Sequence, residues 1–291
     1  MKQKAHHIRR RSAITHLASI LPKQGDAPPR AHGTVRLSTK IRGGRTVLDG
    51  FRQSGSFKCL FPRSAENGLD AVLLNTAGGI TGGDAFRFSG IAAEGTTLTL
   101  TTQACERVYK AHPGPSGHVI NQLRVDSGAR LNWLPQETIL FNGSALERRL
   151  IIDLAQTASA LMVEPLVFGR AAMGETLADI RLHDRIEIRR NGFPVFLDAT
   201  RFAGDLTTHL SKPNIADGAG AMALVVFASS TAAGHLRPVR QMLPDNAGAT
   251  LIRDDLLVVR MLADNSFALR QALMPVLHHL NNSSLPRCWM I

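Results

Sequence analysis

The chain has little cysteine. Cys59, Cys105 and Cys288 are its only three in 291 residues, and they lie far apart. That spacing excludes a disulfide framework and a Cys-x-x-Cys zinc site, and it fits a reducing cytoplasm. Aromatics make up 5% of the residues and Tyr109 is the single tyrosine, too few to build stacking platforms for single-stranded nucleic acid. No apolar run approaches the ~20 residues of a membrane-spanning helix, so a membrane is not an expected partner. Ile14, Leu17, Ile20 and Leu21 are interrupted by Thr15, His16 and Ser19, which leaves no signal-peptide core. Enzyme signatures are missing as well: there is no His-Glu-x-x-His and no Gly-x-Ser-x-Gly elbow.

Acid is nearly absent from one end. Residues 1–45 hold eleven Lys and Arg against the single acid Asp26, whereas the remainder has 23 basic and 22 acidic residues. Ten of the eleven formal positive charges therefore fall in residues 1–45, and the rest of the chain is almost neutral. Asp26-Ala27-Pro28-Pro29 reads as the end of a disordered tail. Residues 1–33 are taken as that basic arm and residues 34–291 as one domain, since no linker divides them. At 44% apolar and 20% charged, the chain falls in the globular class and is long enough to bury a core.

What is present concentrates between Ala71 and Lys110. An apolar run, Ala71 to Leu74, enters a turn carrying Gly78, Gly79, Gly82 and Gly83 and closing on Asp84. Four glycines in six positions indicate a backbone needing positive φ or close approach. Phosphate binding is not indicated: Gly83 is followed by Asp84 and Ala85 rather than Lys-Ser/Thr, and Phe86, Phe88 and Ile91 alternate as a strand. The turn is read as structural, with Asp84 bonding local backbone N–H groups.

Further strands follow. Thr34 to Leu48 reads as a hairpin turning at Gly43-Gly44, and Asn191-Gly192 marks a second hairpin. Between them the chain repeats itself, with Gly95, Gly128 and Ala158 in register at steps of 33 and 30 residues. The returning strands are Val119–Val125, Leu146–Leu154 and Ile180–Ile188. A near-constant period predicts stacked supersecondary units. The fold class expected is mainly β, helical or solenoid-like, with about two helices near the C-terminus. Ala221–Phe227 reads as a strand, Ala232–Leu243 as a helix broken near Pro238, and Leu251–Leu262 as strand-rich. The last helix, capped by Asp264 or Ser266, presents Phe267, Leu269, Leu273, Val276, Leu277 and Leu280 on one face and is kinked or split at Pro275.

Candidate chemistry is confined to acids among apolar neighbours: Asp84, Glu137, Glu164, Glu175 and Asp198. Each is expected to pair with an arginine such as Arg107, Arg170 or Arg201. Asp84, Glu164, Glu175 and Asp198 are also the candidates to line a polar passage that holds a divalent cation weakly. Cys105, Glu106 and His112 share one segment without a recognised ligand spacing, and read as a half-buried cysteine and a surface histidine. His278 and His279 point about 100° apart on a helix and cannot share an ion.

The stretch Asn75 to Asp84, followed by Thr101-Thr102-Gln103-Ala104-Cys105-Glu106-Arg107-Val108-Tyr109, resembles the signature of the urease accessory protein family UreD, also called UreH. Trp133 to Ile139, Gly169 to Glu175 and Leu285-Pro286-Arg287-Cys288-Trp289 extend the resemblance from about Thr34 to the end. The resemblance implies a β-helical body with two helices and a non-catalytic role in nickel incorporation. It also implies binding to apo-urease, association with UreF and the GTPase UreG in a two-copy assembly, and a passage for transient Ni²⁺ with no tightly bound cofactor. Two other classes are weighed beside it. A β-solenoid enzyme acting on acidic polysaccharide would show a groove of clustered Asp and Arg and normally be secreted. A nucleic-acid binder would lose affinity steeply with salt.

Overall fold

A computed structural model describes residues 29–63, 67–281 and 285–290. The arm expected over residues 1–33 lies almost wholly outside these residues.

The first hairpin forms as read: β1 (His32–Arg42) and β2 (Arg45–Gly55) pair antiparallel around Gly43 and Gly44, both at positive φ. Short β3 (Phe57–Leu60) leads to β4 (Leu69–Asn75). The chain then alternates between two sheets through β5 (Ala85–Ala92), β6 (Thr97–Thr102), β7 (Glu106–Val108), β8 (Gly117–Val125), β9 (Arg130–Leu134), β10 (Thr138–Leu140), β11 (Ala145–Leu154), β12 (Ser159–Phe168) and β13 (Ile180–Arg190). β14 (Phe193–Gly204) returns antiparallel across Asn191-Gly192, both residues at positive φ as that turn requires. After α1 (Leu206–Leu210) come β15 (Ala221–Ala228), α2 (Ala232–Met242), β16 (Ala247–Arg253), β17 (Leu256–Ala263) and α3 (Ser266–Asn281).

Among the described residues, one sheet has seven strands in the order β14-β13-β11-β8-β5-β1-β2. The other follows β16-β17-β15-β12-β9-β6-β4-β3, with β10 and β7 beside it. The pairs β1-β5-β8-β11-β13 and β4-β6-β9-β12 are parallel, so successive coils stack as a solenoid, with α2 and α3 as its two substantial helices. The repeat has the first step expected and not the second. Leu98 pairs with Leu131 and Leu131 with Ala160, steps of 33 and 29 residues. Thr157, not Ala158, stands opposite Gly128, its Oγ1 accepting the Gly128 N–H at 2.9 Å. Threonine replaced the glycine that marks the first two turns, and the small residue beside it gave a register one position too long.

Period-two alternation divides the core in two. Leu131, Trp133, Met162, Leu150 and Ile152 face the space between the sheets. Leu161, Val163, Val225, Phe227, Leu257 and Val259 face the other way, under α2 and α3. Helix α2 continues through Pro238, where a break was expected, and α3 continues through Pro275 without splitting. The carbonyl that each proline frees lies four residues back, at Gly234 and Gln271, and both positions are exposed so that water can serve it. Neither Asp264 nor Ser266 caps α3: the Asn265 side-chain oxygen accepts the Ala268 N–H at 3.0 Å. Phe267 is 71% exposed and stands off the apolar face assigned to it.

Candidate functional site

The glycine turn joins β4 to β5 and packs on β7. Ile80 exchanges backbone hydrogen bonds with the segment that follows, accepting from Tyr109 and donating to Arg107, each at 2.8 Å. A Cβ on Gly79 would meet the Tyr109 ring at 2.3 Å, and one on Gly82 would meet the Pro115 carbonyl at 2.7 Å. Close approach explains both. Asp84 is buried and does what the sequence suggested: its two oxygens accept the Ala31 and Thr81 N–H groups, each at 2.8 Å. The turn is filled by its own polypeptide, and a strand rather than a helix follows it.

Behind this turn a cavity of about 250 Å³ enters the space between the sheets. Its outer lining includes the exposed Gly78, Gln103 and Ala104; its inner end is formed by Trp133, Arg148 and Glu164, all buried. Phe57, Leu73, Phe86 and Leu146 make much of the wall apolar. Glu106 stands near the entrance, where Asn75 Nδ2 donates to its two oxygens at 3.2 and 3.3 Å. Burial pushes its carboxyl up to about 7, with the nearby Asp84 charge adding to the rise.

At the inner end, Arg148 and Asp184 sit directly opposite on β11 and β13. Both occupy inward positions of alternating strands. Arg148 donates to Asp184 through Nε at 3.0 Å and Nη2 at 2.5 Å, and to Thr138 Oγ1 at 3.1 Å. Glu164 comes from the facing sheet and accepts the Trp133 indole N–H at 2.7 Å. Its other oxygen lies 2.7 Å from Arg148 Nη1 but receives no well-directed hydrogen bond. One guanidinium thus serves two carboxyl groups, and Asp184 takes its forked face. Burial pushes the Glu164 carboxyl above the ordinary range against the pull of Arg148, and the Asp184 charge adds to the rise. The inner end sets two carboxyl groups against one guanidinium, and Arg148 reaches one Glu164 oxygen by charge rather than by a directed hydrogen bond. A cation entering it would meet that oxygen.

Of the four acids singled out from sequence, Glu164 alone lines this cavity. Glu175 is held outside, where the Arg170 guanidinium and the Asn142 and Arg170 N–H groups bond its oxygens and keep its carboxyl below the usual range. Asp198, on β14, pairs with Arg260 of β17 beside a second cavity lined by Phe168, Phe202 and Leu262. Glu137 pairs with Arg270 at 3.3 Å. The partners are therefore Arg148, Arg170, Arg260 and Arg270, and of the three arginines suggested only Arg170 serves. Cys105 is half-buried on the cavity wall, and His112 is exposed. Arg148 and Asp184 were missed; the available signal was a charged residue at an inward position of an otherwise apolar alternation. Among the described residues no group of three or more His, Cys, Asp or Glu could hold a metal, and no helix is long and apolar enough to cross a membrane.

The model of the UreD urease accessory protein family matches residues 31–290. The chain is 59% identical over 257 residues to the urease accessory protein UreD of Ruegeria pomeroyi, covering 88% of this chain and all of that protein. It is 46% identical to the UreD of Roseobacter denitrificans over 90% of this chain and 96% of the relative. Against the UreD of Rhizobium rhizogenes the identity is 40%, with the same coverages.

Proposed function

Because the chain belongs to the UreD family of urease accessory proteins, we propose that it is a non-catalytic nickel-delivery scaffold of urease maturation. It binds apo-urease and takes Ni²⁺ from the GTPase UreG in a two-copy assembly with UreF, in the cytoplasm. Residues 34–291 act as one domain in this reading. The observation that carries it is the interior cavity, at whose inner end Arg148 faces Glu164 on the wall and Asp184 behind it, two carboxyl groups to one guanidinium. A divalent cation there competes with the proton that burial favours on Glu164. Too few ligands converge to hold it permanently, which suits a cargo that must move on. Glu164 is the inner station of the proposed passage. Asp84 contributes its field behind Glu106, and Glu175 and Asp198 are acidic stations on the outside. The self-filled glycine turn supports leaving GTP hydrolysis to UreG.

The test is co-expression with UreF, UreG and apo-urease, followed by co-purification and urease activation. Omitting this chain should abolish activation. Glu164→Ala and Asp198→Ala should still fold and co-purify while losing activation. Activation without the chain rejects the accessory reading. Loss of folding in the two variants instead assigns those carboxylates to structure.

A further inference from the structure

Outside the ten-stranded sheet, where α2 packs on α3, two histidines meet. His235 Nδ1, in the first turn of α2, lies 3.0 Å from His279 Nε2, in the last turn of α3, with the ring planes at 72°. Both side chains are half-buried. As a neutral pair they share one proton between the facing nitrogens. When each ring carries its proton on its other nitrogen, two lone pairs are directed into one small space. They then need a cation between them.

The separation is informative about which cation. Metal–nitrogen bonds of ~2.1 Å set at about 90° place two donor atoms ~3.0 Å apart, whereas a tetrahedral angle spreads them to about 3.4 Å. The histidine pair therefore matches one edge of a square or octahedral ligand set. We propose that His235 and His279 form a two-imidazole binding site for a late first-row divalent cation of the Ni²⁺ or Cu²⁺ type, on the helical layer and apart from the interior cavity.

The surroundings act in both directions. His279 sits at the negative end of the α3 dipole, which favours a cation. Phe227 packs edge-on against His235 with ring centroids 5.3 Å apart, which limits how that ring turns. Arg130 approaches from the Phe227 side, and its field opposes a second positive charge. Its guanidinium is engaged by the Leu280 and Asn281 carbonyl oxygens at 2.9 and 3.1 Å, which moderates that opposition. His278 is exposed and points away around the helix. Among the described residues no third His, Cys, Asp or Glu completes a ligand set, so water or a ligand from another molecule fills the remaining positions. Such a site exchanges its ion readily. It does not depend on the interior passage, and either can fail alone.

The experiment uses the full chain carrying His6→Ala and His7→Ala, which removes the other adjacent histidine pair. Cu²⁺ electron paramagnetic resonance counts coupled nitrogens, and calorimetry with Ni²⁺ alone gives the affinity. Two coupled nitrogens are expected in this parent and one in His279→Ala or His235→Gln. The Ni²⁺ affinity of either variant should fall by at least roughly tenfold, while His278→Ala leaves it unchanged. The glutamine variants keep a hydrogen-bonding side chain between the helices and supply the result if an alanine variant fails to fold. Unchanged affinity and nitrogen count in a folded His235→Gln/His279→Gln protein would overturn the proposal.

Discussion

Arg148 reaches Asp184 through two nitrogens and approaches Glu164 with Nη1, all three groups buried. Replacing it with methionine keeps most of the volume but leaves two carboxyl groups facing each other without a counter-charge. Arg148→Met is expected to lower stability by about 3–5 kcal/mol, measured by urea unfolding at pH 7. Glu106 predicts a pH dependence of definite sign. Its carboxyl is raised from 4.5 to about 7 in the folded protein because burial disfavours the charge. The protonated form is the one the fold favours, so its contribution is complete below about 4.5 and is lost as pH rises through about 7. At about 1.4 kcal/mol per pH unit, the loss amounts to at most about 3 kcal/mol. Glu106→Gln should match the wild type near pH 4, exceed it by about 2–3 kcal/mol at pH 8, and flatten the slope between. An unchanged slope in urea melts at pH 5, 6, 7 and 8 would remove Glu106 as its source.

Helix α3 is fixed over its first turns by polar contacts rather than by its apolar face alone. Asn265 caps its start, and Arg270 reaches Gln136 Oε1 at 2.8 Å, Glu137 Oε1 at 3.3 Å and the Trp289 carbonyl at 2.6 Å. Asn265→Ala should cost about 0.5–2 kcal/mol by losing the cap. Arg270→Ala should cost more, about 2–4 kcal/mol, because it leaves the nearly buried Glu137 without its cation. Thermal melts of the two variants order these effects, and equal melting temperatures would contradict the assignment. The same helix shows what the sequence could disclose. Leu269, Leu273, Val276, Leu277 and Leu280 follow the helical period and are all buried, but Asn265 competed with equally good capping types on either side. The strands were legible for a similar reason, since Gly43-Gly44 and Asn191-Gly192 specify turn geometry locally. Arg148, Asp184 and Glu164 come together only because three coils stack in one register. A single displaced residue in the repeat hides that alignment, so the chemistry of the cavity was less legible than its walls.

Across the whole molecule the two sheets treat solvent differently. On the outer face of the seven-stranded sheet, β13 turns Arg181, His183 and Arg185 outward while Leu182, Asp184 and Ile186 are buried. That face needs no cover. The ten-stranded sheet turns Leu161, Val163, Val225, Phe227, Leu257 and Val259 outward, and they are buried only because α2, α3 and Trp289 lie over them. Ending the chain after Ala263 removes α3 and Trp289 while leaving every strand that builds the coils. The hydrophobic face then exposed is contiguous across β12, β15 and β17, the kind of patch that drives association. The truncated protein is expected to elute as soluble aggregate and to bind a hydrophobic dye strongly, whereas its far-ultraviolet circular dichroism keeps the strand signal. A monodisperse truncated monomer with wild-type dye binding would show that the helices are an appendage. Aggregation with retained strand signal would show that the solenoid needs its helical layer for solubility rather than for folding.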